Sequence, residues 1–262
     1  MAAYFQDYLL HLADNALILG QRNAQWCGHG PVLEEDLALA NNSLDLIGQA
    51  RLLYQHVATV RKDGKTSEDL LAYFRDAPDF KNYTLLELPH STALAPTSSG
   101  DRDYAVTMGR NFLYSALMVL VWEGLKSSAD AQLAAIASKS LKETQYHLRH
   151  ARDWMLRLGD GTEESHAKMQ AAINHLVPYT QEFFTSCAME AAVVKSGLGV
   201  DTRQLQPAWN KLVDDALAQA TLTRPSVGGF VTTGKTGVHS EHLGFVLAEM
   251  QSLARAHPEA VW

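Results

Sequence analysis

Cysteine is scarce in this sequence, which has 262 residues and two cysteines, Cys27 and Cys187, far apart along the chain. A disulfide between them could form, but we expect reduced thiols, because disulfides persist mainly in oxidising compartments. Neither cysteine has a base beside it in the sequence. Both are therefore predicted to be small buried residues rather than nucleophiles.

The sequence also lacks a membrane signal and an excess of positive charge. No apolar run approaches the ~20 residues that a membrane-spanning helix needs, and the N-terminal residues carry acids without the basic start of a signal peptide. The formal net charge of −7 disfavours nonspecific nucleic-acid binding. We therefore expect a cytoplasmic protein that binds neither a membrane nor a nucleic acid.

Period-two alternation of apolar and polar residues is missing as well, so no strands are expected and the fold class is predicted to be all-α. Apolar residues instead recur at steps of three and four, which is the helical period. This predicts a four-helix bundle within a single domain, 1–262. The core helices are predicted at 4–27, 33–61, 102–126 and 130–158, with added helices at 162–186, 207–222 and 240–256.

The helical period lapses between the second and third core helices. A short helix is predicted from Thr66, its expected N-cap, to Phe74. The following residues, 77–101, are predicted to form a long irregular crossover, as in bundles whose middle connection runs from one end to the other. The residues that interrupt the period are Pro78, Pro89, Pro96 and the run Ser98-Ser99-Gly100.

Residues 130–159 organise the rest of the prediction, because a carboxylate and an imidazole, Glu143 and His147, lie in the middle of this long helical stripe. Such groups in mid-helix can build a metal site inside a helical bundle. A carboxylate-bridged di-iron centre takes one Glu from each of two helices and a Glu-x-x-His pair from each of the other two. A chain that holds such a centre should show this pattern across its two halves.

The pattern is incomplete in both halves of the chain. Asp14 and Asp45 lie 31 residues apart, which suits one carboxylate on each arm of a helical hairpin, but the position three after Asp45 is Gly48. In the second half, the position three after Glu143 is Tyr146, whose phenol stays protonated near neutral pH. The third expected carboxylate is replaced by Ser115. No metal, cofactor-binding or catalytic residue is therefore assigned.

The remaining polar residues at these positions are expected to form a buried charge network: Asp14, Asp45, Glu143 and His147. Crowded carboxylates raise one another's pKa, so cations should balance them. The candidates are charged His147, Arg51 and Lys142. One alternative stays open, in which Glu143 and His147 hold a single metal weakly and His11 and Asp14 add two ligands.

Two further motifs near the C-terminus are assigned structural roles. His239 and His242 have the spacing of two zinc ligands but lack a third and fourth ligand in register, so they are expected to cap or pack the last helix. Gly229-x-x-x-x-Gly234-Lys235-Thr236 matches a phosphate loop formally. A phosphate loop requires a strand before it and a helix directly after it, which an all-α chain does not provide.

Three segments carry a resemblance to a known family: GQRNAQWCGHGPVLEEDLALANNSLDLIGQARLL (20–53), KETQYHLRHARDWMLRLGDGTEESHAKMQAAI (142–173) and TGKTGVHSEHLGFVLAEMQ (233–251). They resemble the C subunit of the ring 1,2-phenylacetyl-CoA epoxidase, a bacterial multicomponent monooxygenase. The resemblance extends over essentially the whole chain and preserves the order of the segments.

The resemblance implies a ferritin-like fold and a complex in which a related A subunit holds the di-iron site and binds the coenzyme A thioester. It implies that this chain is a noncatalytic structural partner of the A subunit in aerobic phenylacetate degradation, with no cofactor of its own. In isolation the chain could form a homodimer through the same surface. The alternative is a ferritin-like oxygenase with its own unusual metal site.

Overall fold

The computed structural model describes residues 2–94 and 102–260, and within these residues the chain is almost entirely helical. The helices in chain order are α1 (Ala2–Ala24), α2 (Leu33–Arg61), α3 (Glu68–Tyr73), α4 (Thr84–Glu87), α5 (Tyr104–Leu125), α6 (Ala131–Gly159), α7 (Glu163–Leu176), α8 (Gln181–Phe184), α9 (Ala188–Lys195), α10 (Thr202–Gln219) and α11 (Glu241–Ala256). The described residues contain no β-strand beyond one bridge between Thr233 and Val238. The all-α prediction is confirmed.

The helices after α6 differ from the sequence-based boundaries. The helix expected over 162–186 is interrupted by a 3₁₀ turn, Val177–Thr180, because Pro178 lacks the N–H that would continue the α-helical ladder. Helix α9 was not predicted. Helix α10 begins at Thr202 rather than 207, since the Asp201 side chain caps it by accepting a hydrogen bond from the Arg203 N–H.

The crossover expected over 77–101 is partly ordered. It contains a 3₁₀ turn at Ala77–Asp79 and the short helix α4, while its part at 95–101, with Pro96 and the Ser-Ser-Gly run, lies outside the described residues. The N-cap of α3 is Ser67, whose hydroxyl accepts from the Leu70 N–H. Thr66 does not cap the helix, because its hydroxyl donates to the Asp63 carboxylate at 2.7 Å.

One compact unit comprises the described residues up to Leu88 and those from Thr233 onward. Helices α1 and α2 pack against each other along their length, and α11 contacts α1, α3 and α4. Leu9, Ile18, Leu39 and Leu53 are among the fully buried side chains of this unit. Apolar burial at these helical steps is the main stabilising contribution.

The second compact unit comprises the described residues between Pro89 and Thr232. Helix α5 packs against α6, and α7 and α10 also contact α5. The fully buried Trp209 of α10 donates its indole N–H to the Leu113 carbonyl at 3.1 Å, so its one polar atom has a partner. The prediction of a single domain over the whole chain stays a prediction.

Helix α5 corrects one expectation from the sequence. Tyr104–Leu125 is 22 residues long, reaches a mean hydropathy of 1.2, and is therefore long and apolar enough to cross a membrane by these criteria alone. The expectation that no apolar run approaches that length is wrong for this helix. Yet 89% of the most apolar 18-residue stretch of this helix is buried inside the protein. Such burial is usual for the core helix of a globular protein.

Candidate functional site

Asp14 is the most completely bonded of the predicted site residues. Its carboxylate is fully buried in α1 and accepts the Tyr54 hydroxyl at 2.5 Å, the Lys81 backbone N–H at 2.8 Å and the Arg75 Nη1 at 3.1 Å. Arg75 Nη2 donates to Oδ1, the oxygen that also accepts the Tyr54 hydroxyl, while Nη1 and the Lys81 N–H donate to Oδ2. Both carboxylate oxygens of Asp14 therefore already accept two hydrogen bonds each.

Arg75 supplies the positive charge that balances Asp14. Its guanidinium also lies over the Phe80 ring, 4.2 Å from the centroid, a favourable cation–π position. Burial lowers the pKa of Arg75, but the Asp14 carboxylate outweighs burial together with the other nearby negative groups, and the net shift is upward. Burial, followed by Asp14, raises the pKa of Tyr54 well above its ordinary value, so the phenol remains a donor.

The counter-charges proposed from the sequence need correction for Asp14. Arg51 forms its ion pair with Glu68 instead, at 2.8 Å, and is largely exposed. Lys142 lies exposed on α6. The actual partner, Arg75, follows the short helix α3 and is 61 residues away from Asp14 in sequence. No helical spacing connects the two, so the pair depends on tertiary structure.

Asp45 and Gly48 lie three residues apart on neighbouring positions of one face of α2. Asp45 is half-buried, whereas a side chain at Gly48 would point into open space with no atom within 4 Å. Asn42, Ser43 and Gln49 are buried polar residues on this part of the helix. Gly48 itself offers no side-chain ligand.

Tyr146 and His147 point in different directions from α6. His147 is buried, while Tyr146 is 44% exposed. The Tyr146 ring stacks on His150 with centroids 6.3 Å apart, and the Arg149 guanidinium lies 5.5 Å from the Tyr146 centroid. This arrangement is typical of an aromatic group on a solvated helix face, and it directs the phenol away from the buried side.

Glu143 and Ser115 complete the set of predicted positions. Glu143 is half-buried and its carboxylate lies 3.6 Å from the Lys139 ammonium one helical turn earlier. Ser115 is buried in α5. The residue three after Glu143 is Tyr146, and Ser115 has a hydroxyl in place of the expected carboxylate. These positions therefore supply no Glu-x-x-His pair.

The residues at these positions do not fit a di-iron centre. Within residues 2–94 and 102–260, no group of three or more His, Cys, Asp or Glu side chains lies close enough to hold a metal ion. The oxygens of Asp14 already accept hydrogen bonds from Arg75, Tyr54 and Lys81. Gly48 has no side chain to contribute.

A second buried charge cluster was not predicted. Glu87 is fully buried and accepts from Asn82 Nδ2 at 2.9 Å and from the Ser240 backbone N–H at 2.6 Å. His239 Nδ1 lies 2.8 Å from the same carboxylate, and its Nε2 lies 2.8 Å from the Phe80 carbonyl. Both ring nitrogens of His239 therefore lie within hydrogen-bond distance of an oxygen in this unit.

This cluster revises the roles expected for the two C-terminal histidines. His239 connects the tail to Glu87, 152 residues away, and does not cap the last helix, whose N-cap residue is Ser240. His242 is buried in the first turn of α11. Burial, and then the nearby Arg22, lowers the pKa of His242.

The Gly-Lys-Thr segment forms a packed turn. Gly234–Thr236 is a single 3₁₀ turn, closed by Gly237 at φ +90°. A Cβ at Gly234 would collide with the Asn82 carbonyl and with Thr84. Lys235 is buried, with its ammonium 5.8 Å from the Tyr83 centroid. The segment therefore lacks the strand–loop–helix setting that a phosphate loop needs.

The cysteine prediction was partly wrong. Neither cysteine forms a disulfide, but Cys27 is exposed and Cys187 is half-buried. Cys27 lies in the turns that follow α1, where Gly28 has φ +76°. The glycines around Cys27 in the sequence are the signal for an exposed turn.

Comparison with known proteins gives two matches that extend over the chain. The family described as phenylacetic acid catabolic protein matches residues 2–262. The chain is also 44% identical over 255 residues to the C subunit of 1,2-phenylacetyl-CoA epoxidase from Escherichia coli (strain K12), with 97% of this chain and 98% of the relative covered. These matches, with the helices described above, confirm the ferritin-like, all-α fold class. The chain belongs to the phenylacetic acid catabolic protein family.

Proposed function

We propose that this chain is a noncatalytic structural subunit of a cytoplasmic phenylacetyl-CoA epoxidase complex, where it supports the catalytic di-iron A subunit. The relative in Escherichia coli is named as the C subunit of that epoxidase. The proposal of a noncatalytic role depends on one observation. The Asp14 carboxylate accepts hydrogen bonds from Arg75, Tyr54 and the Lys81 backbone N–H. A carboxylate held in this way stabilises a fold rather than a metal.

The outer face of α2 is the surface that we assign to binding of the A subunit. Leu33 is 71% exposed, Leu37 is 56% exposed and Leu44 is 68% exposed. They recur along the same side of the helix as Gly48, which leaves room for close approach. An exposed apolar stripe of this kind is typical of an interaction surface.

The buried side of the same helix is unusually polar, since Asn42, Ser43 and Gln49 are all buried there. An isolated globular helix normally has the opposite distribution, with apolar residues inside and polar residues outside. The exposed leucines of α2 therefore favour a second protein over water as their neighbour. We extend the proposal to a homodimer of the isolated chain through the same face.

The assembly test uses a tagged A subunit together with this chain carrying Leu37→Glu and Leu44→Glu. We expect retention on the tagged protein to fall at least ~10-fold, since each leucine would otherwise be buried and a carboxylate would be desolvated. Val238→Glu is the matched control, because Val238 is 66% exposed but lies on the C-terminal segment. Equal retention of both variants would contradict the assignment of α2.

The role of this chain is tested separately by turnover of phenylacetyl-CoA with the A subunit by itself and with the reconstituted complex. We expect the A subunit to need this chain for full activity, and to carry all of the iron. Activity of this chain by itself with phenylacetyl-CoA would overturn the proposal and favour the alternative of an oxygenase with its own metal site.

A further inference from the structure

A groove lies between α3 and the second half of α11, on the unit that contains α1 and α2. Its volume is about 620 Å³, and its lining includes Leu70, Tyr73 and Phe74 on one side and Met250, Leu253 and Ala254 on the other. We refer to it as the α3/α11 groove. A volume in this range is large enough to take several side chains.

The walls of the α3/α11 groove combine apolar and polar side chains, and several of the apolar ones are open to solvent. Leu253 is 58% exposed, Leu70 is 44% exposed and Phe74 is 36% exposed. On α11, the lining residues Met250, Leu253 and Ala254 follow the i, i+3, i+4 spacing of one helix face, and His257 lines the groove just after the helix ends. A partner helix that packs beside this face would meet an apolar wall of about one turn, from Met250 to Ala254.

The charge along the groove is negative. Glu68 and Asp69 are among the described residues that line it, and that set contains no lysine or arginine. Glu68 is balanced in part by Arg51 at 2.8 Å, but Asp69 is exposed. Burial, and then Asp69, raises the pKa of Tyr73, so its phenol is a hydrogen-bond donor beside the carboxylates.

We propose that the α3/α11 groove binds an amphipathic helical segment of another protein, whose apolar face enters the groove and whose lysines or arginines face Asp69 and Glu68. A helix recognised in this way places its own apolar anchors at i, i+3, i+4 and i+7 into the groove, where the exposed Leu70, Phe74 and Leu253 would contact them. Opposite charge on the two partners fixes the orientation and excludes acidic segments. This inference goes beyond the proposed function, since it does not need the catalytic subunit.

The test is a selection of displayed helical peptides on the full chain, followed by fluorescence anisotropy with the enriched peptides. We expect enriched sequences to combine apolar residues at helical spacing with lysine or arginine. Leu253→Asp should weaken their binding at least ~10-fold, and Asp69→Lys should do the same by reversing the local charge. Val238→Asp is the matched control and should leave binding unchanged, because Val238 is even more exposed than Leu253, at 66% against 58%, but does not line the groove.

Four results would overturn the proposal. They are the absence of any enriched peptide, enrichment of acidic peptides, equal binding by the Leu253→Asp and Val238→Asp variants, and self-association of the chain that is lost in Leu253→Asp. The last result would assign the groove to a second copy. If Leu253→Asp fails to fold, Asp69→Lys keeps the test decisive, since Asp69 is exposed.

One more variant separates an external partner from the chain itself. Val261 and Trp262 follow Ala260, which lines the groove, but both lie outside the described residues. A variant that ends at Ala260 should bind the enriched peptide as the full chain does. A gain in affinity of ~10-fold or more would assign the groove to these two residues and overturn the proposal.

Discussion

The buried ion pairs of this protein differ sharply from its surface pairs. Asp14 and Arg75 are almost excluded from water, with relative side-chain exposures of 0% and 12%. Arg51 and Glu68 form a pair of similar length near the surface, where the arginine side chain is 65% exposed. Removing one member of a buried pair leaves an uncompensated charge, whereas water replaces a lost partner at the surface.

Arg75→Met therefore tests the structural role of Asp14. We expect the variant to lower the free energy of unfolding by about 3–5 kcal/mol, because Asp14 would remain buried without its cation. Arg51→Met is the matched control and should cost at most ~1 kcal/mol. Urea unfolding of both variants measures the difference, and equal small effects would contradict the assignment of Arg75 as the essential counter-charge.

The stability of the protein is expected to depend on pH because of His242. Its pKa is lowered in the folded protein, mainly by burial, so the folded state binds fewer protons there than the unfolded state does. Stability should therefore fall as the pH drops through the ordinary value of 6.5. Urea unfolding on both sides of this pH should give a smaller decrease for His242→Gln than for the unmodified protein.

The control for this pH effect is His29→Gln, since His29 is exposed. That variant should retain the full decrease in stability on acidification. If His242→Gln and His29→Gln behave alike, the proton uptake that destabilises the protein occurs at other groups.

At the scale of helices, alanine substitutions at two glycines are expected to change the free energy of unfolding in opposite directions. Gly48 lies within α2 with open space where an added methyl group would lie, so Gly48→Ala should raise the free energy of unfolding by about 0.5–1 kcal/mol. Gly159 ends α6 against the Ala220 backbone carbonyl. Gly159→Ala should lower the free energy of unfolding by about 1–3 kcal/mol through overpacking.

Thermal or urea unfolding of the two alanine variants checks both signs in one experiment. The comparison is informative because each variant adds the same single methyl group to a long helix. A loss of stability in Gly48→Ala would mean that the outer face of α2 is already covered within the protein, which would also count against its proposed role in docking.

The long helices could be predicted from the sequence because several turns of apolar residues specify a helix face without tertiary information. The short elements could not. Helices α4 and α8 have four residues each, too few for a periodic pattern. Thr66 and Ser67 are both good N-cap residues, and only the Asp63 side chain, which accepts from Thr66, decides between them.

At the scale of the whole molecule, the sequence showed that the metal-ligand pattern is incomplete. It did not show which groups pair with the buried carboxylates Asp14 and Glu87. Arg75 reaches Asp14 across 61 residues, and His239 reaches Glu87 across 152 residues. Neither pair has a local signature, because long-range contacts follow from chain topology. Buried charges must have partners, so the need for a cation could be predicted while its identity could not.

The purified chain should contain no stoichiometric iron. The physical reason is that Asp14 is held by hydrogen-bond donors and that the position of Gly48 provides no ligand. Elemental analysis after purification in the presence of ferrous iron measures the content. About two irons per chain, the content of a carboxylate-bridged di-iron bundle, would contradict this prediction, and one metal per chain would favour a site at Glu143 and His147.

The central claim is that this chain supports catalysis by another protein of the complex without taking part in the chemistry. The most direct measurement is the turnover of phenylacetyl-CoA by a reconstituted complex that contains the Glu143→Ala, His147→Ala double variant, at matched assembly and stability. We expect turnover equal to that of the unmodified complex. A loss of ~100-fold or more in a fully assembled complex, the effect of removing a catalytic acid or base, would contradict the account.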